Sequence, residues 1–103
     1  MEQTERIREM EQRLDRASVA VMGLSAALDN YVEAQEAIDE LSRYYGSDEW
    51  KQDFAGDEAG RLPANLKRGV LSEDGIWNLL SDSRELNIRL LETVTNILRR
   101  GNR

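Results

Sequence analysis

One apolar stripe with heptad spacing runs through the first 45 residues and restricts the fold of this chain more than any other feature. Its members, here called the seam, follow one another at alternating steps of three and four residues: Ile7, Met10, Leu14, Ala17, Val21, Leu24, Leu28, Tyr31, Gln35, Ile38, Ser42 and Tyr45. This is the a/d pattern of helices that pack side by side in a left-handed supercoil. No proline interrupts it. The pattern predicts one helix over about residues 4–45, roughly 60 Å long, unless Gly23 or Asn30 kinks or splits it.

A second, short helix is predicted directly after the first. Gly46 can end the long helix, because glycine adopts the left-handed conformation that terminates helices. Ser47 then supplies a capping hydroxyl, and two acidic residues follow it, where negative charge suits the positive end of the helix dipole. We expect this helix over about residues 48–57, with Trp50 and Phe54 on one face.

The rest of the chain predicts a connector turn and a second long helix. The only proline of the chain starts a short turn over about residues 63–67. Ser72 repeats the capping pattern, which predicts a helix over about residues 73–100. Two neighbouring apolar stripes begin at Ile76 and Trp77 on this helix. Together they make a broader apolar face than a two-helix seam requires, so we expect more than one packing partner.

These elements predict an all-α fold. Leu, Ile, Val and Phe make up 24 of the 103 residues, which is enough for a folded core. The length argues for a single helical domain over residues 1–103. The expected architecture is an antiparallel hairpin of the two long helices with a coiled-coil-like seam, closed by the short helix and the connector turn.

Unequal helix lengths in this hairpin predict an association surface. If residue 45 lies near residue 72, Arg100 ends beside about residue 17, and residues 1–16 project by about 24 Å. Three apolar seam residues, Ile7, Met10 and Leu14, are then uncovered. We expect them to pair with a second copy or with another helical protein. The alternative is that the first helix bends and covers itself, or that its first turns fray.

The composition excludes several classes of function. The chain has no cysteine and no histidine, which removes thiol and histidine catalysis and most transition-metal sites, so we expect no catalytic residue, cofactor or metal. A net charge of −6 speaks against nucleic-acid binding. No segment is apolar enough for a membrane span, and the acidic N-terminus does not resemble a signal peptide. We therefore expect a soluble, acidic protein of the cytoplasm.

Aromatic and basic side chains in and beside the segment that connects the two long helices form a candidate binding patch for a partner. Its members are Tyr44, Tyr45, Trp50, Phe54, Lys67, Arg68 and Trp77. Tyrosine, tryptophan and arginine are favoured in binding hot spots. The alternative is structural: Trp50, Phe54 and Trp77 form a small core that locks the connector, and the two cations are solvated or paired with nearby acids.

The sequence favours a non-enzymatic protein–protein interaction module that self-associates, and it leaves two alternatives open. The first is an acidic inhibitor or regulator that binds a basic protein surface. Residues 1–45 carry 10 acids and 5 bases, net −5, whereas residues 76–103 carry 3 and 5, net +2, a difference that would equally suit antiparallel pairing of chains. The second is a small enzyme with carboxylates and Lys67 or Arg68 around a connector pocket.

Three strings of the sequence resemble a family of small bacterial helical proteins that is described only as a domain of unknown function. They are Tyr-Tyr-Gly-Ser-x-Glu-Trp from residue 44, Leu-Pro-x-x-Leu-Lys-Arg-Gly-Val-Leu-Ser-Glu-Asp-Gly-Ile from residue 62, and Asn-Ile-Arg-Leu-Leu-Glu-Thr from residue 87. The resemblance runs from about Arg6 to Arg100. It implies a bacterial, mostly helical protein, and it supplies no activity, substrate or catalytic residue.

Overall fold

The computed structural model describes residues 2–101, and within them the chain is all-α, as predicted. Its elements are α1 (Gln3–Tyr44), α2 (Asp48–Glu58), a single 3-10 turn (Gly69–Leu71) and α3 (Gly75–Arg99). The predicted helix bounds are confirmed to within two residues. The 3-10 turn was not predicted.

Tertiary contacts divide the chain into two units, Met1–Glu36 and Ala37–Arg103. The N-terminal unit contains a single element, the larger part of α1. The C-terminal unit contains the last turns of α1 together with α2, the 3-10 turn and α3. That the chain is a single domain and that its first helix projects beyond the last stay predictions.

In the N-terminal unit, α1 is one unbroken helix through Gly23 and Asn30, so neither residue splits it. The Glu2 carboxylate accepts hydrogen bonds from the amides of Thr4 and Glu5, at 3.0 and 3.3 Å. Hydrogen bonding from Thr4, chiefly through its amide, lowers the pKa of the Glu2 carboxyl group. No described residue of α1 is buried.

The turn between α1 and α2 forms as the sequence predicts. Gly46 has a φ of +79°, the left-handed conformation in which a side chain would be strained. Ser47 caps α2, and its hydroxyl oxygen accepts the amide N–H of Trp50 at 3.1 Å.

The segment between α2 and α3 makes two successive turns. In the first, predicted over 63–67, the amide of Leu66 donates to the carbonyl oxygen of Pro63 at 3.2 Å. In the second, the hydroxyl of Ser72 donates to the carbonyl oxygen of Gly69 at 2.8 Å and accepts the amide of Gly75 at 3.0 Å. The hydroxyl thus closes a turn that precedes the helix. For this reason α3 begins at Gly75, two residues later than predicted, and Glu73 and Asp74 lie outside its first turn.

The closed end of a helical hairpin is present in the C-terminal unit. Leu41 of α1 faces the same cavity as Ile76 and Leu79 of α3, and the hydroxyl of Tyr45 makes a long contact of 3.5 Å with the carbonyl oxygen of Glu73. From Leu41 to Tyr45 the residue number rises, whereas that of the facing residues falls, from Ile76 and Leu79 to Glu73. The two segments therefore run antiparallel here, as expected.

Candidate functional site: the connector

Three aromatic rings form one cluster at the start of the connector, the segment of residues 45–74 between α1 and α3. The rings of Tyr45 and Trp50 meet edge to face at a centroid distance of 5.3 Å, and those of Trp50 and Phe54 stack at 5.2 Å. Such pairs contribute about 0.5–1.5 kcal/mol beyond the area that they bury. The shared face of Trp50 and Phe54 on α2 is confirmed. All three residues are half-buried.

Trp50 also links α2 to the second turn of the connector. Its indole N–H donates to the carbonyl oxygen of Val70 at 3.0 Å. An indole held by stacking on one side and by a backbone hydrogen bond on the other fixes the position of the 3-10 turn relative to α2. In this respect the geometry agrees with the structural alternative for Trp50.

Tyr44, at the end of α1, is engaged through its hydroxyl. The phenol donates to the Asp53 carboxylate at 2.6 Å. This hydrogen bond is the main reason why the pKa of Tyr44 is raised to about 12, and burial and the negative charges of Asp53 and Glu49 add to the effect. The hydrogen bond from the phenol to Asp53 holds α2 against the end of α1, and the raised pKa delays ionisation of the phenol at alkaline pH.

The two adjacent cations of the connector differ in their surroundings. The guanidinium of Arg68 lies 2.9 Å from the Asp57 carboxylate, and both side chains are about one-third exposed. This is the pairing that the sequence offered as an alternative to a role in binding. Lys67 is exposed and contributes to the rim of a cavity. Lys67 is therefore the more available cation for a partner.

An apolar cavity of about 480 Å³ opens between the end of α1, the second turn and the start of α3. Its lining residues are Leu41, Lys67, Gly69, Val70, Gly75, Ile76 and Leu79. Among the described residues that line the cavity, Lys67 is the one ionisable side chain, and none is a carboxylate. The cavity thus suits an apolar group better than the acid–base chemistry of the enzyme alternative.

Trp77 lies on α3 and follows the cavity-lining residue Ile76 in sequence. Its surroundings differ from those of the other aromatic residues. Its side chain is 58% exposed, whereas its neighbour Ile76 is 3% exposed. The structure thus brings Tyr45, Trp50 and Phe54 together in the cluster and leaves Trp77 open to solvent. That all seven residues of the candidate patch bind one partner together stays a prediction.

The predicted self-association residues lie in the N-terminal unit. Ile7 is 53% exposed, Met10 51% and Leu14 59%. They follow one another along α1 at the spacing that the seam requires, so an apolar strip is open over the first turns of this helix.

Several residues that shape the connector were not foreseen from the sequence. The carbonyl of Val70 anchors Trp50, but a backbone acceptor leaves no signal in residue type. Gly75 packs directly on the second turn, and here a signal exists: serine and glycine lie three residues apart at a helix start, as the hydrogen bond from Gly75 to Ser72 requires.

Among the residues that the structure describes, there is neither an acidic metal-binding cluster nor a membrane-crossing helix. Over positions 2–101, no three acidic side chains come close enough together to hold a metal ion. Among the described helices, none is both long and apolar enough to cross a membrane.

Comparison with known proteins places the chain in a family without assigning it an activity. No curated protein and no solved structure matches it. A family model described as "Domain of unknown function (DUF4298)" matches residues 7–93, which include all three strings quoted above. Since that match covers most of the 103 residues, the chain belongs to the DUF4298 family.

Proposed function

We propose that this chain is a non-enzymatic protein–protein interaction module of the bacterial cytoplasm, and that it self-associates. One observation carries the proposal: its elements lack a core of their own. In the described residues of the whole chain, the buried apolar side chains are those of Leu71 and Ile76. A buried core residue normally contacts 6–12 others within one contiguous cluster. Two buried residues are too few to form the core of a chain of about one hundred residues.

The exposed apolar residues indicate which surface of the chain a partner would bury. The N-terminal unit is a single helix, so it contains no second element against which Ile7, Met10 and Leu14 can pack. Contiguous exposed apolar residues of this kind usually mark an association surface. A second copy offers an identical strip, and heptad strips pair with each other through knobs-into-holes packing.

The connector supplies a second surface, which we propose for a protein partner. Lys67 lines the apolar cavity and is exposed, and the exposed Trp77 follows the lining residue Ile76 in sequence. An apolar cavity with one cation suits a partner that offers an apolar side chain with an acidic neighbour, and an exposed indole on the same helix can add to the contact. Nucleic acid is not the proposed partner, because the net charge is −6.

The test of self-association is the molecular mass of a charge variant of the strip. Leu14→Glu places a carboxylate where the proposal buries a leucine, so we expect a loss of the dimer and a fall in thermal stability. Sedimentation velocity and thermal unfolding measure the two effects. Gln52→Glu, which adds the same charge at an exposed position of α2, is the control and leaves both unchanged.

The proposed strip is wrong if Leu14→Glu alters neither the mass nor the stability. A dimer that persists in this variant would place self-association on another surface. A wild-type chain that is monomeric would contradict the proposed function itself.

A further inference from the structure

Over residues 7–28 the seam is open to solvent along its whole length. This stretch lies within the N-terminal unit, and every seam residue in it is exposed. Its large side chains are between 49% and 68% exposed: Ile7, Met10, Leu14, Val21, Leu24 and Leu28. An apolar heptad pattern that is sustained over three heptads is typical of a coiled coil. The surface that a partner would bury is therefore longer than the strip of Ile7, Met10 and Leu14.

Side chains of opposite charge border this stretch where it begins. In the heptad notation a to g, the spacing puts Ile7 at a and Met10 at d, and positions e and g border the seam on its two sides. On one side, the g positions hold Arg6 and Arg13. On the other side, Glu11 occupies an e position. One border of the seam is thus positive and the other negative over the first turns of α1.

The orientation of two paired copies determines which of these charges meet. In a parallel pair in register, a g side chain faces the e side chain five positions later in the other helix, so Arg6 of each copy meets Glu11 of the other. An antiparallel overlap of the same turns brings g against g, and arginine then faces arginine. Within positions 2–101, Arg13 pairs with Glu9 of its own helix at 3.6 Å, and no ion pair engages Arg6 or Glu11.

The apolar side chains of the seam favour the same orientation. The β-branched residues of this stretch of the seam, Ile7 and Val21, both lie at a, whereas the d positions hold methionine, alanine and leucine. β-branched side chains at a with leucine at d favour parallel pairs of helices. Most acids of the following segment lie at the outer b and f positions, where a parallel partner does not approach them: Asp29, Glu33, Glu36 and Glu40.

We propose that residues 4–28 of two copies pair as a parallel, in-register coiled coil through the seam, and that Arg6 and Glu11 select this orientation. This inference rests on the proposed self-association and names its geometry and the residues that determine it. The two-fold axis runs along the pair, so each seam residue packs beside its own counterpart. The Arg6–Glu11 contact forms twice in each dimer.

Reversal of the two charges tests the inference. Arg6→Glu and Glu11→Lys each place like charges across the seam in their own dimers, so we expect each variant alone to dimerise about tenfold more weakly. In an equimolar mixture of the two variants the opposite charges meet again, and the heterodimer is expected to predominate. A chain that carries both changes is expected to dimerise like the wild type. Native mass spectrometry distinguishes the three dimers by mass.

Arg16→Glu is the matched control for these variants. It makes the same charge change as Arg6→Glu at an exposed c position, which faces away from the partner. We expect it to leave dimerisation unchanged and to form no preferred heterodimer with Glu11→Lys. An acidic residue at position 6 suits the positive end of the α1 dipole, so a weaker dimer of Arg6→Glu is not the result of a weaker helix.

Introduced cysteines test the orientation independently, because the natural chain contains no thiol. Positions 17 and 24 are both d positions and lie about 10 Å apart along the axis. In a parallel pair, Ala17→Cys and Leu24→Cys each face their own counterpart within the roughly 7 Å between Cα atoms that a disulfide allows, so both variants are expected to form covalent dimers. An antiparallel pair brings at most one of the two positions together. Ala26→Cys, at an outer f position, is the control and is expected not to link.

The mass of the unmodified chain separates this inference from the proposed function. A monomeric chain would overturn both. A dimeric chain whose charge variants show no preference for the heterodimer would leave self-association standing and overturn the role of Arg6 and Glu11. Failure of Ala17→Cys or Leu24→Cys to link in a dimeric chain would overturn the parallel geometry.

Discussion

At Gly75 the backbone passes so close to the preceding turn that a side chain has no room. A Cβ at this position would lie 2.5 Å from the carbonyl oxygen of Gly69 and 2.7 Å from the hydroxyl oxygen of Ser72. Both atoms belong to the hydrogen-bonded turn that starts α3. This glycine is therefore required by a close approach of two backbone segments.

Replacing Gly75 with alanine is expected to destabilise the fold by about 1–3 kcal/mol, because the turn must move to admit the methyl group. Urea unfolding measures the loss. Gly69→Ala is the matched control, since its Cβ would meet no atom within 4 Å. Equal stability of the two variants would show that the close approach at Gly75 is not present in solution.

The phenol of Tyr44 predicts a pH effect at the alkaline end. Its pKa is raised from 10.0 to about 12 in the folded state, mainly by the hydrogen bond to Asp53. Because the folded pKa lies above the unfolded one, the stabilising contribution is complete below pH 10 and is lost as the pH rises from 10 to about 12. A steeper loss of stability in this window is expected for the wild type than for Tyr44→Phe.

Absorbance titration of the tyrosines checks the same contact directly. We expect one phenol to ionise near pH 12 and this component to be absent from Tyr44→Phe. Asp53→Asn removes the negative charge and should move that component to lower pH. A titration without any component near pH 12 would contradict the Tyr44–Asp53 hydrogen bond.

Among the elements, α2 is held by a few individual side-chain contacts. Trp50 stacks on Phe54, meets Tyr45 edge to face and donates to Val70, so it connects the turn after α1, α2 and the 3-10 turn. Tyr44 bonds to Asp53 and Arg68 pairs with Asp57 as well. The position of α2 thus depends on these contacts more than on a core.

Trp50→Phe keeps an aromatic ring but removes the indole N–H, leaving the carbonyl oxygen of Val70 without this donor. We expect a loss of about 1–2 kcal/mol in the free energy of unfolding. Trp77→Phe makes the same change at a residue that is 58% exposed and is expected to alter stability by about 0.5 kcal/mol or less. Chemical unfolding of both variants compares them, and an equal effect would refute the role of Trp50.

The helices were predictable because their signals are local. The apolar periodicity, the glycine at position 46 and the cap at Ser47 each act within one or two turns. The helix α1, the left-handed Gly46 and the cap are confirmed, whereas packing of the seam against another helix stays a prediction. The start of α3 was displaced because the hydroxyl of Ser72 closes a turn instead of opening the helix. The Trp50–Val70 contact links residues 20 apart through a backbone atom, and no residue pattern reports it.

For the molecule as a whole, the proposed self-association depends on how much apolar surface is exposed. Both α1 and α3 carry apolar residues that are half or more exposed, among them Leu24, Leu91 and Leu98 at 63%, 70% and 65%. If association provides the missing cover, folding and association are coupled, and stability must depend on protein concentration. Each tenfold rise in concentration is then expected to raise the melting temperature by about 3 °C.

The mass of the wild-type chain in solution, measured by sedimentation equilibrium over a wide concentration range, decides whether the chain self-associates. We expect a species of twice the chain mass of 11.8 kDa, with a melting temperature that rises with concentration. A species of 11.8 kDa at every concentration, with cooperative unfolding at a constant temperature, would rule out self-association.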